Sequence, residues 1–135
     1  MTQLFTWPVR VYYEDTDAGG IVFYANYLKF FERARTEWVR AKGFELDQLA
    51  ASEGIIFAVR SATIDYLQPA RFNEQLLASA EISQAKTASL NFYQQITRDD
   101  TVLCTAHIRV ACIDAVSFSP KAIPKLVLER LESEN

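Results

Sequence analysis

The chain has few of the residues from which common catalytic sites are built. Among its 135 residues there is one histidine, His107, and no G-x-S-x-G elbow or Gly-rich phosphate loop. Zinc sites take three or four His, Cys or carboxylate ligands, and a Ser-His-Asp triad needs the serine elbow. We therefore expect no zinc site, no serine-hydrolase triad and no nucleotide-phosphate loop. His107 is most simply an ordinary outward-facing strand residue.

Basic charge and long apolar runs are also lacking. The 14 basic residues are fewer than the 17 acidic ones, whereas nucleic-acid-binding domains are usually basic. No run approaches the ~20 apolar residues of a membrane span, and the N-terminus lacks the basic-then-apolar pattern of a secretory signal. We therefore expect no nucleic-acid partner and no integral membrane segment.

The two cysteines, Cys104 and Cys112, fall in one predicted strand. At ~3.3 Å per residue they lie ~26 Å apart, beyond the reach of a disulfide. Free thiols of this kind are typical of a reducing compartment. We therefore predict a cytoplasmic protein.

The composition is that of one globular domain covering residues 1–135. Half of the residues are hydrophobic and 23% are charged, and a chain of this length buries enough surface for a core without disulfides. No internal repeat, low-complexity segment or linker divides the chain.

The pattern along the chain predicts a strand, a long helix and then four strands. Residues 8–13 alternate as a strand entered at Pro8, and residues 25–42 have helical periodicity that ends at Gly43. The apolar face of this helix comprises Tyr27, Leu28, Phe31, Ala34, Trp38 and Val39. Opposite charges at helical spacing, Glu32 with Arg35 and Arg33 with Glu37, occupy its other side.

The second half of the chain predicts mainly strands. A short helix over residues 45–53 precedes a strand over 55–67, and Pro124 opens a short C-terminal helix containing Leu126, Val127 and Leu131. Asp99 and Asp100 form a hairpin turn between the last two strands. Three strands have one apolar face each: Leu76, Ala78, Ala80 and Ile82; Ala88, Leu90, Phe92 and Ile96; and alternate residues from Val102 to Cys112.

One-faced strands favour an antiparallel sheet covered on one side by the long helix, an α+β fold. Its outer face, which includes Tyr93 and Arg109, is either solvated or an oligomer interface.

A carboxylate close to a helix start is the chemical feature that remains. Asp17 precedes Gly19 and Gly20, which let the backbone approach a ligand closely, and the helix begins near Tyr24. Amides in the first turn of a helix lack intrahelical acceptors and can stabilise a developing oxyanion. A nucleophile or base opposite such donors is the minimal arrangement for acyl transfer. The alternative is that Asp15 and Asp17 merely cap turns.

The segment from Val9 to Val22, with its D-T-D-A-G-G sequence, resembles the 4-hydroxybenzoyl-CoA thioesterase family of hotdog-fold proteins. Asn26-Tyr27 and the helix sequence F-E-R-A-R-T-E over residues 31–37 carry the same resemblance. Downstream marks are Asp65-Tyr66, Pro69-Ala70-Arg71 and residues 121–124. Within the family the chain is most similar to the branch of bacterial acyl-CoA thioesterases associated with the Tol-Pal envelope system.

The resemblance implies a hotdog fold, a curled antiparallel sheet around a long helix, and gives roles to particular residues. Asp17 corresponds to the catalytic carboxylate that attacks the thioester or activates water. The backbone amide of Tyr24 corresponds to the oxyanion donor, with Gly19 and Gly20 beside it. Asp15 then orients the turn, and Asn26 helps to fix the helix start.

Two cations are candidates for the CoA phosphates, since such groups bind phosphate. Lys86 lies near the family's CoA-phosphate region, with a solvated surface lysine as the alternative. Arg71 is the second candidate, with anchoring of a loop as the alternative.

One departure concerns Tyr24, because thioesterases of this branch carry a histidine there. A backbone amide does not depend on that side chain, so hydrolysis remains the favoured interpretation. Tyr24 either narrows the acyl pocket, offers its hydroxyl, or simply packs. Hotdog hydratases are disfavoured because they use a histidine beside the carboxylate.

The expected protein is thus an acyl-CoA thioesterase, acting on short-chain aliphatic or aromatic acyl groups. It needs no cofactor apart from the CoA of its substrate, and it assembles as a dimer of dimers with sites at subunit interfaces. Two alternatives stay open. One is a module that binds acyl-CoA or acyl carrier protein with little turnover. The other is an interaction protein of the envelope.

Overall fold

The structure, a computed structural model, describes residues 4–133. Its elements, in chain order, are β1 (Phe5–Arg10), α1 (Tyr27–Ala41), α2 (Leu46–Glu53), β2 (Ile55–Tyr66), β3 (Gln75–Ala85), β4 (Ser89–Arg98), β5 (Thr101–Asp114) and α3 (Lys125–Glu132). Two short 3-10 turns, Tyr13–Asp15 and Tyr24–Asn26, lie between β1 and α1. The predicted order of strand, long helix and four strands is confirmed.

The five strands of this region form one antiparallel sheet in the order β1-β3-β4-β5-β2. The first strand differs from the prediction of residues 8–13, because Pro8 lies inside β1, paired with Leu77, and not at its entrance. Since β1 is an edge strand, the missing N–H of Pro8 need not break a ladder bond. The strand ends at Arg10 because Tyr13–Asp15 forms a turn, in which the Asp15 carboxylate accepts the amide of Tyr12.

Helix α1 packs against β1, β3 and β4. Its buried residues are Tyr27, Phe30, Phe31, Ala34, Trp38 and Val39, which confirms most of the predicted apolar face. Leu28 was wrongly included, since it is 42% exposed, and Phe30 was missed. Phe30 stands three residues after Tyr27 and four before Ala34, so it continues the buried stripe.

A polar residue, Gln94, lies within the apolar row of β4 and is fully buried. Its Nε2 donates to the carbonyl oxygens of Phe31 (3.0 Å) and Ser79 (2.9 Å), and its Oε1 accepts from Nη1 of Arg35 at 3.0 Å. These bonds satisfy the buried amide, as polar groups in a core require. Gln94 therefore joins the centre of α1 to the sheet.

The remaining elements follow the predictions closely. Arg98 pairs with Thr101 around the two-residue turn at Asp99 and Asp100. Helix α3 buries Val127 and Leu131, but Leu126 is 79% exposed and does not belong to its buried face. The ring of His107 faces outward, 5.0 Å from that of Tyr93. Among residues 4–133, no helix has both the length and the apolar character needed to span a membrane.

Candidate active site

Asp17 lies at the tip of a small hairpin between β1 and α1. Thr16 and Val22 form an antiparallel bridge, and the amide of Asp17 donates to the carbonyl of Ile21 at 3.1 Å. Gly20 turns the chain with a φ of +77°, a left-handed conformation that glycine adopts without steric cost. The sequence folds here into a tight turn that presents the Asp17 side chain at the surface.

The carboxylate of Asp17 is exposed and engaged on one side only. Its Oδ1 accepts the amide of Gly19 at 3.0 Å, which is the turn-capping contact expected of an aspartate in a loop. Within residues 4–133 no donor to Oδ2 is found. The turn therefore holds the carboxylate while one oxygen stays available for chemistry.

Asp15 and Asn26 connect this hairpin to the helix start. Asp15 is 4% exposed, and its Oδ2 accepts the amide of Tyr12 at 2.8 Å. Its carbonyl oxygen accepts both the amide of Phe23 and Nδ2 of Asn26, each at 2.9 Å. The base of the hairpin and the beginning of the helix are thereby fixed to one backbone atom.

Tyr24 is the first residue of the 3-10 turn that leads into α1, after Phe23 at the cap. The first amides of such a helix have no intrahelical acceptor, and no other acceptor for Tyr24 or Ala25 is found among the described residues. The Tyr24 side chain is 64% exposed, and its ring lies 4.8 Å from that of Phe23. The unpaired amides, together with the helix dipole, favour negative charge at this point.

Residues 66–72, which begin with the last residue of β2, contact both parts of the site, and we call them the clamp segment. On the hairpin side, the amide of Val22 donates to the carbonyl of Ala70 at 2.8 Å, and the amide of Phe72 donates to that of Gly20 at 3.1 Å. Ile21 and Arg71 form an antiparallel bridge. The hairpin is therefore held against the clamp segment by backbone bonds.

On the helix side, the clamp segment contributes Tyr66. Its hydroxyl donates to the carbonyl oxygen of Tyr24 at 2.9 Å, and the amide of Ala70 donates to the hydroxyl of Tyr27 at 3.0 Å. Desolvation by burial raises the pKa of both Tyr27 and Tyr66, so both hydroxyls keep their protons at neutral pH. The sequence analysis placed Tyr27 on the apolar face of the helix but assigned neither tyrosine a role in the site, although Asp65-Tyr66 and Asn26-Tyr27 were among the residues that carry the family resemblance.

The two predicted phosphate-binding cations lie in different places. Arg71 sits beside the hairpin, with an exposed side chain for which no partner is found within residues 4–133. Lys86 is in the turn after β3, where its amide donates to the carbonyl of Ser89. Strand β3 has 11 residues, which at about 3.3 Å per residue separates its ends by roughly 33 Å. One chain therefore brings Arg71, but not Lys86, near Asp17.

The described part of the chain contains no cluster of three or more His, Cys, Asp or Glu side chains suited to a metal ion. Cys104 and Cys112 are buried free thiols, and burial raises the pKa of Cys104 to about 12. A thiol that is buried and protonated is a poor nucleophile. Asp17, in contrast, is an exposed carboxylate on the same loop as the unpaired amides.

Residues 19–105 match the family model described as the thioesterase superfamily. The match runs from the tip of the Asp17 hairpin through α1 into β5 and covers more than half of the chain. The chain belongs to the thioesterase superfamily.

Individual relatives agree with this assignment. The acyl-CoA thioester hydrolase YbgC of Escherichia coli O6:H1 is 45% identical over 128 residues, covering 94% of this chain and 95% of that protein. The acyl-CoA thioesterase YbgC of Haemophilus influenzae is 44% identical over 123 residues, covering 91% and 90%. A crystal structure of a probable thioesterase from Bartonella henselae superposes with a TM-score of 0.86 at 34% identity, covering 90% and 100%.

These findings confirm the expected hotdog fold and identify the chain as an enzyme of the thioester hydrolase class. As the resemblance implied, the sheet is antiparallel and packed on one face by α1. The sheet is open, with β1 and β2 at its two edges.

Proposed function

We propose that this thioesterase hydrolyses acyl-CoA to the free acid and CoA, with Asp17 as nucleophile or general base and the Tyr24 amide as oxyanion donor. The observation that carries the proposal is the placement of an exposed carboxylate and a pair of unpaired amides on one loop. The carbonyl oxygen of Asp15 accepts hydrogen bonds from Phe23 and Asn26, and these bonds hold the two ends of that loop together. A nucleophile or base opposite oxyanion donors is what acyl transfer requires.

Two routes are compatible with this arrangement. As a nucleophile, Asp17 attacks the thioester carbonyl, the oxyanion forms against the amides, and its collapse expels CoA as thiolate. The resulting mixed anhydride is then opened by water, which restores the carboxylate. As a general base, Asp17 instead takes a proton from a water molecule that attacks the same carbonyl. In both routes the amides stabilise the negative charge that develops on the carbonyl oxygen.

We also propose that the protein acts as a homo-oligomer, a dimer of dimers. Strand β2 lies at a sheet edge and has 12 residues; Val59 within it is 54% exposed. A long edge with exposed apolar residues is rarely left uncovered in a native protein. A second subunit would also supply Lys86 to the CoA site of the first, which a single chain does not do.

The proposed substrate range rests on the relatives of the chain. The YbgC relatives of E. coli and H. influenzae carry acyl-CoA in their names. We propose short-chain aliphatic or aromatic acyl-CoA as substrates, acyl carrier protein as a second carrier, and no cofactor.

We further propose the cytoplasm as the location, because the buried cysteines are free. Association with the Tol-Pal system is a proposal that follows from the family resemblance.

The decisive experiment follows free thiol release from a panel of acyl-CoAs, from short aliphatic to long-chain and aromatic. Asp17→Asn should lower kcat by ~10²- to 10⁴-fold, the usual contribution of a positioned acid or base. The matched control is Asp47→Asn, since Asp47 is also exposed and caps a backbone amide, but lies on α2. It should retain full turnover.

Other outcomes separate the alternatives. Full turnover by a folded Asp17→Asn protein would remove Asp17 from the mechanism. Tight binding of acyl-CoA by the wild-type protein without thiol release would favour the binding module, and release only from acyl-carrier-protein thioesters would change the substrate. Indifference to all thioesters, with a protein captured instead, would favour the interaction protein.

A further inference from the structure

We infer that Tyr66 is a positioning residue of the proposed site, whose hydroxyl holds the first turn of the helix so that the amides stay aligned with Asp17. This inference rests on the proposed function. It goes beyond that function because it places a residue 42 positions after Tyr24 in the support of the oxyanion site.

The hydrogen bond from Tyr66 acts on the peptide that joins Tyr24 to Ala25. The hydroxyl donates to the Tyr24 carbonyl at 2.9 Å, and the N–H of Ala25 belongs to the same planar group. Fixing the carbonyl therefore fixes the direction of this N–H and restricts the torsion that connects it to the Tyr24 amide. A hydrogen bond accepted by the carbonyl also polarises the peptide, which makes the N–H a stronger donor.

The ring of Tyr66 is held independently of its hydroxyl. Its centroid lies 5.4 Å from that of Tyr27 and 6.4 Å from that of Tyr24, both in edge contacts. Tyr27 is in turn buried and accepts the amide of Ala70. Because these contacts do not involve the Tyr66 hydroxyl, phenylalanine at this position should keep the ring in place and remove only the hydrogen bond.

Among the described residues, no other side chain donates a hydrogen bond to the carbonyl of Tyr24. Asn26 bonds outward to the carbonyl of Asp15, and the backbone bond from the amide of Asn26 to Phe23 closes the turn. The carbonyl of Tyr24 is therefore tied to the body of the protein by Tyr66. Misplacement of a reacting group by ~1 Å can cost ~10²-fold in rate, so loosening this turn should affect the chemical step.

The test is Tyr66→Phe in the full-length protein, with Tyr93→Phe as the matched control. Tyr93 also loses a hydroxyl hydrogen bond, the one that it accepts from Gln95, but on the outer face of the sheet. We expect kcat of Tyr66→Phe to fall about tenfold, which is a modest part of the cost of misplacing a reacting group. KM for the acyl-CoA and the melting temperature should be unchanged. Tyr93→Phe should match the wild type in all three.

Amide hydrogen exchange provides a readout that does not depend on turnover. In Tyr66→Phe, a peptide spanning residues 24–30 should exchange faster, while peptides from β4 and β5 should be unchanged. Wild-type kcat together with unchanged exchange would overturn the inference. So would a joint loss of kcat, KM and melting temperature with faster exchange everywhere, because that is the behaviour of a merely structural residue.

The two proposals fail in different ways. If Asp17→Asn abolishes turnover while Tyr66→Phe is fully active, the proposed function stands and the role of Tyr66 falls. If the wild-type protein releases no thiol from any thioester, the proposed function fails and takes the catalytic role of Tyr66 with it.

Discussion

The carbonyl oxygen of Asp15 accepts a hydrogen bond from Nδ2 of Asn26 at 2.9 Å. This bond joins the base of the Asp17 hairpin to the start of the long helix. The same oxygen also accepts the amide of Phe23. The Asp15 carbonyl is therefore one of the points at which the Asp17 hairpin and the helix start are fixed relative to each other.

Asn26→Asp should reduce kcat strongly and the free energy of unfolding only moderately. The substitution keeps the shape of the side chain but places a carboxylate oxygen against the Asp15 carbonyl, which repels it. Loss of one such hydrogen bond typically costs about 1 kcal/mol of unfolding free energy, while the shifted helix start should reduce kcat by at least tenfold. Urea denaturation and thiol release measure the two effects. The control is Gln84→Glu, the same change from amide to carboxylate at an exposed position of β3, away from the hairpin; equal losses in both variants would contradict the prediction.

The two glycines of the hairpin should respond differently to alanine. Gly20 has a φ of +77° and open space where a Cβ would stand, whereas a Cβ on Gly19 would meet Oδ1 of Asp17 at an ordinary 3.5 Å. Gly20→Ala should therefore cost about 1 kcal/mol through backbone strain alone, and it should also reduce kcat because the tip of the hairpin shifts. Gly19→Ala should be nearly neutral for stability. Melting curves and thiol release of the two variants make the comparison, and a larger stability loss in Gly19→Ala would refute it.

Gln94→Met should destabilise the protein by about 2 kcal/mol, because buried polar groups left without partners cost roughly 1 to 3 kcal/mol. The variant removes the acceptor of Arg35 and the donor to the carbonyls of Phe31 and Ser79. Gln95→Met is the control, since the Gln95 side chain donates to Tyr93 from the opposite face of β4. Urea denaturation of the three proteins tests this, and equal midpoints would show that the buried bonds contribute no net stability.

The loop after β5 should give stability a dependence on acidic pH. The amides of Ser117 and Val116 lower the pKa of Asp114 from 3.8 to about 2. A carboxyl whose native pKa lies below its unfolded value stabilises the fold above the unfolded pKa, and the contribution is lost as the pH falls through the native pKa. The stability difference between wild type and Asp114→Asn should be constant above pH 5 and disappear between about pH 4 and pH 2.

Urea denaturation at a series of pH values measures this difference. Ser117→Ala is the companion variant, because it removes the hydroxyl contact to Asp114 but keeps the backbone amide. Its stability should lie between those of the wild type and Asp114→Asn at pH 7. A difference between wild type and Asp114→Asn that persists unchanged at pH 2 would disprove the role of these bonds.

Local periodicity was sufficient to predict most of the fold. The helical repeat over α1, the alternation in β3 to β5 and the turn at Asp99 are properties of short stretches of sequence. Local periodicity did not decide between Leu28 and Phe30, because both are apolar and only the position of the sheet determines which one is buried. Pro8 was misplaced for a similar reason, since whether a strand lies at an edge depends on its partners.

The candidate site was predicted in part. The Asp17 turn and the helix start are close in sequence, so their proximity follows from local structure. The contributions of Tyr66, Ala70 and Gln94 depend on hydrogen bonds between residues far apart in the chain, which no local pattern encodes. The alternation of β4 places Gln94 in the same row as Phe92 and Ile96, but its hydrogen-bond partners on α1 and β3 cannot be read from that alternation.

The clamp segment has a consequence for the order of events in folding. It joins residues 20–27 to residues 66–72, while the neighbouring ladder pairs Phe5 with Ala80. Contacts between such distant parts of the chain close late, because large loops must be ordered before they form. Helix α1 needs only local hydrogen bonds, so the helical signal in far-ultraviolet circular dichroism should recover early during refolding. Thiol release should recover in a later phase, since the Asp17 hairpin and the helix start reach their mutual positions only once residues 66–72 have docked.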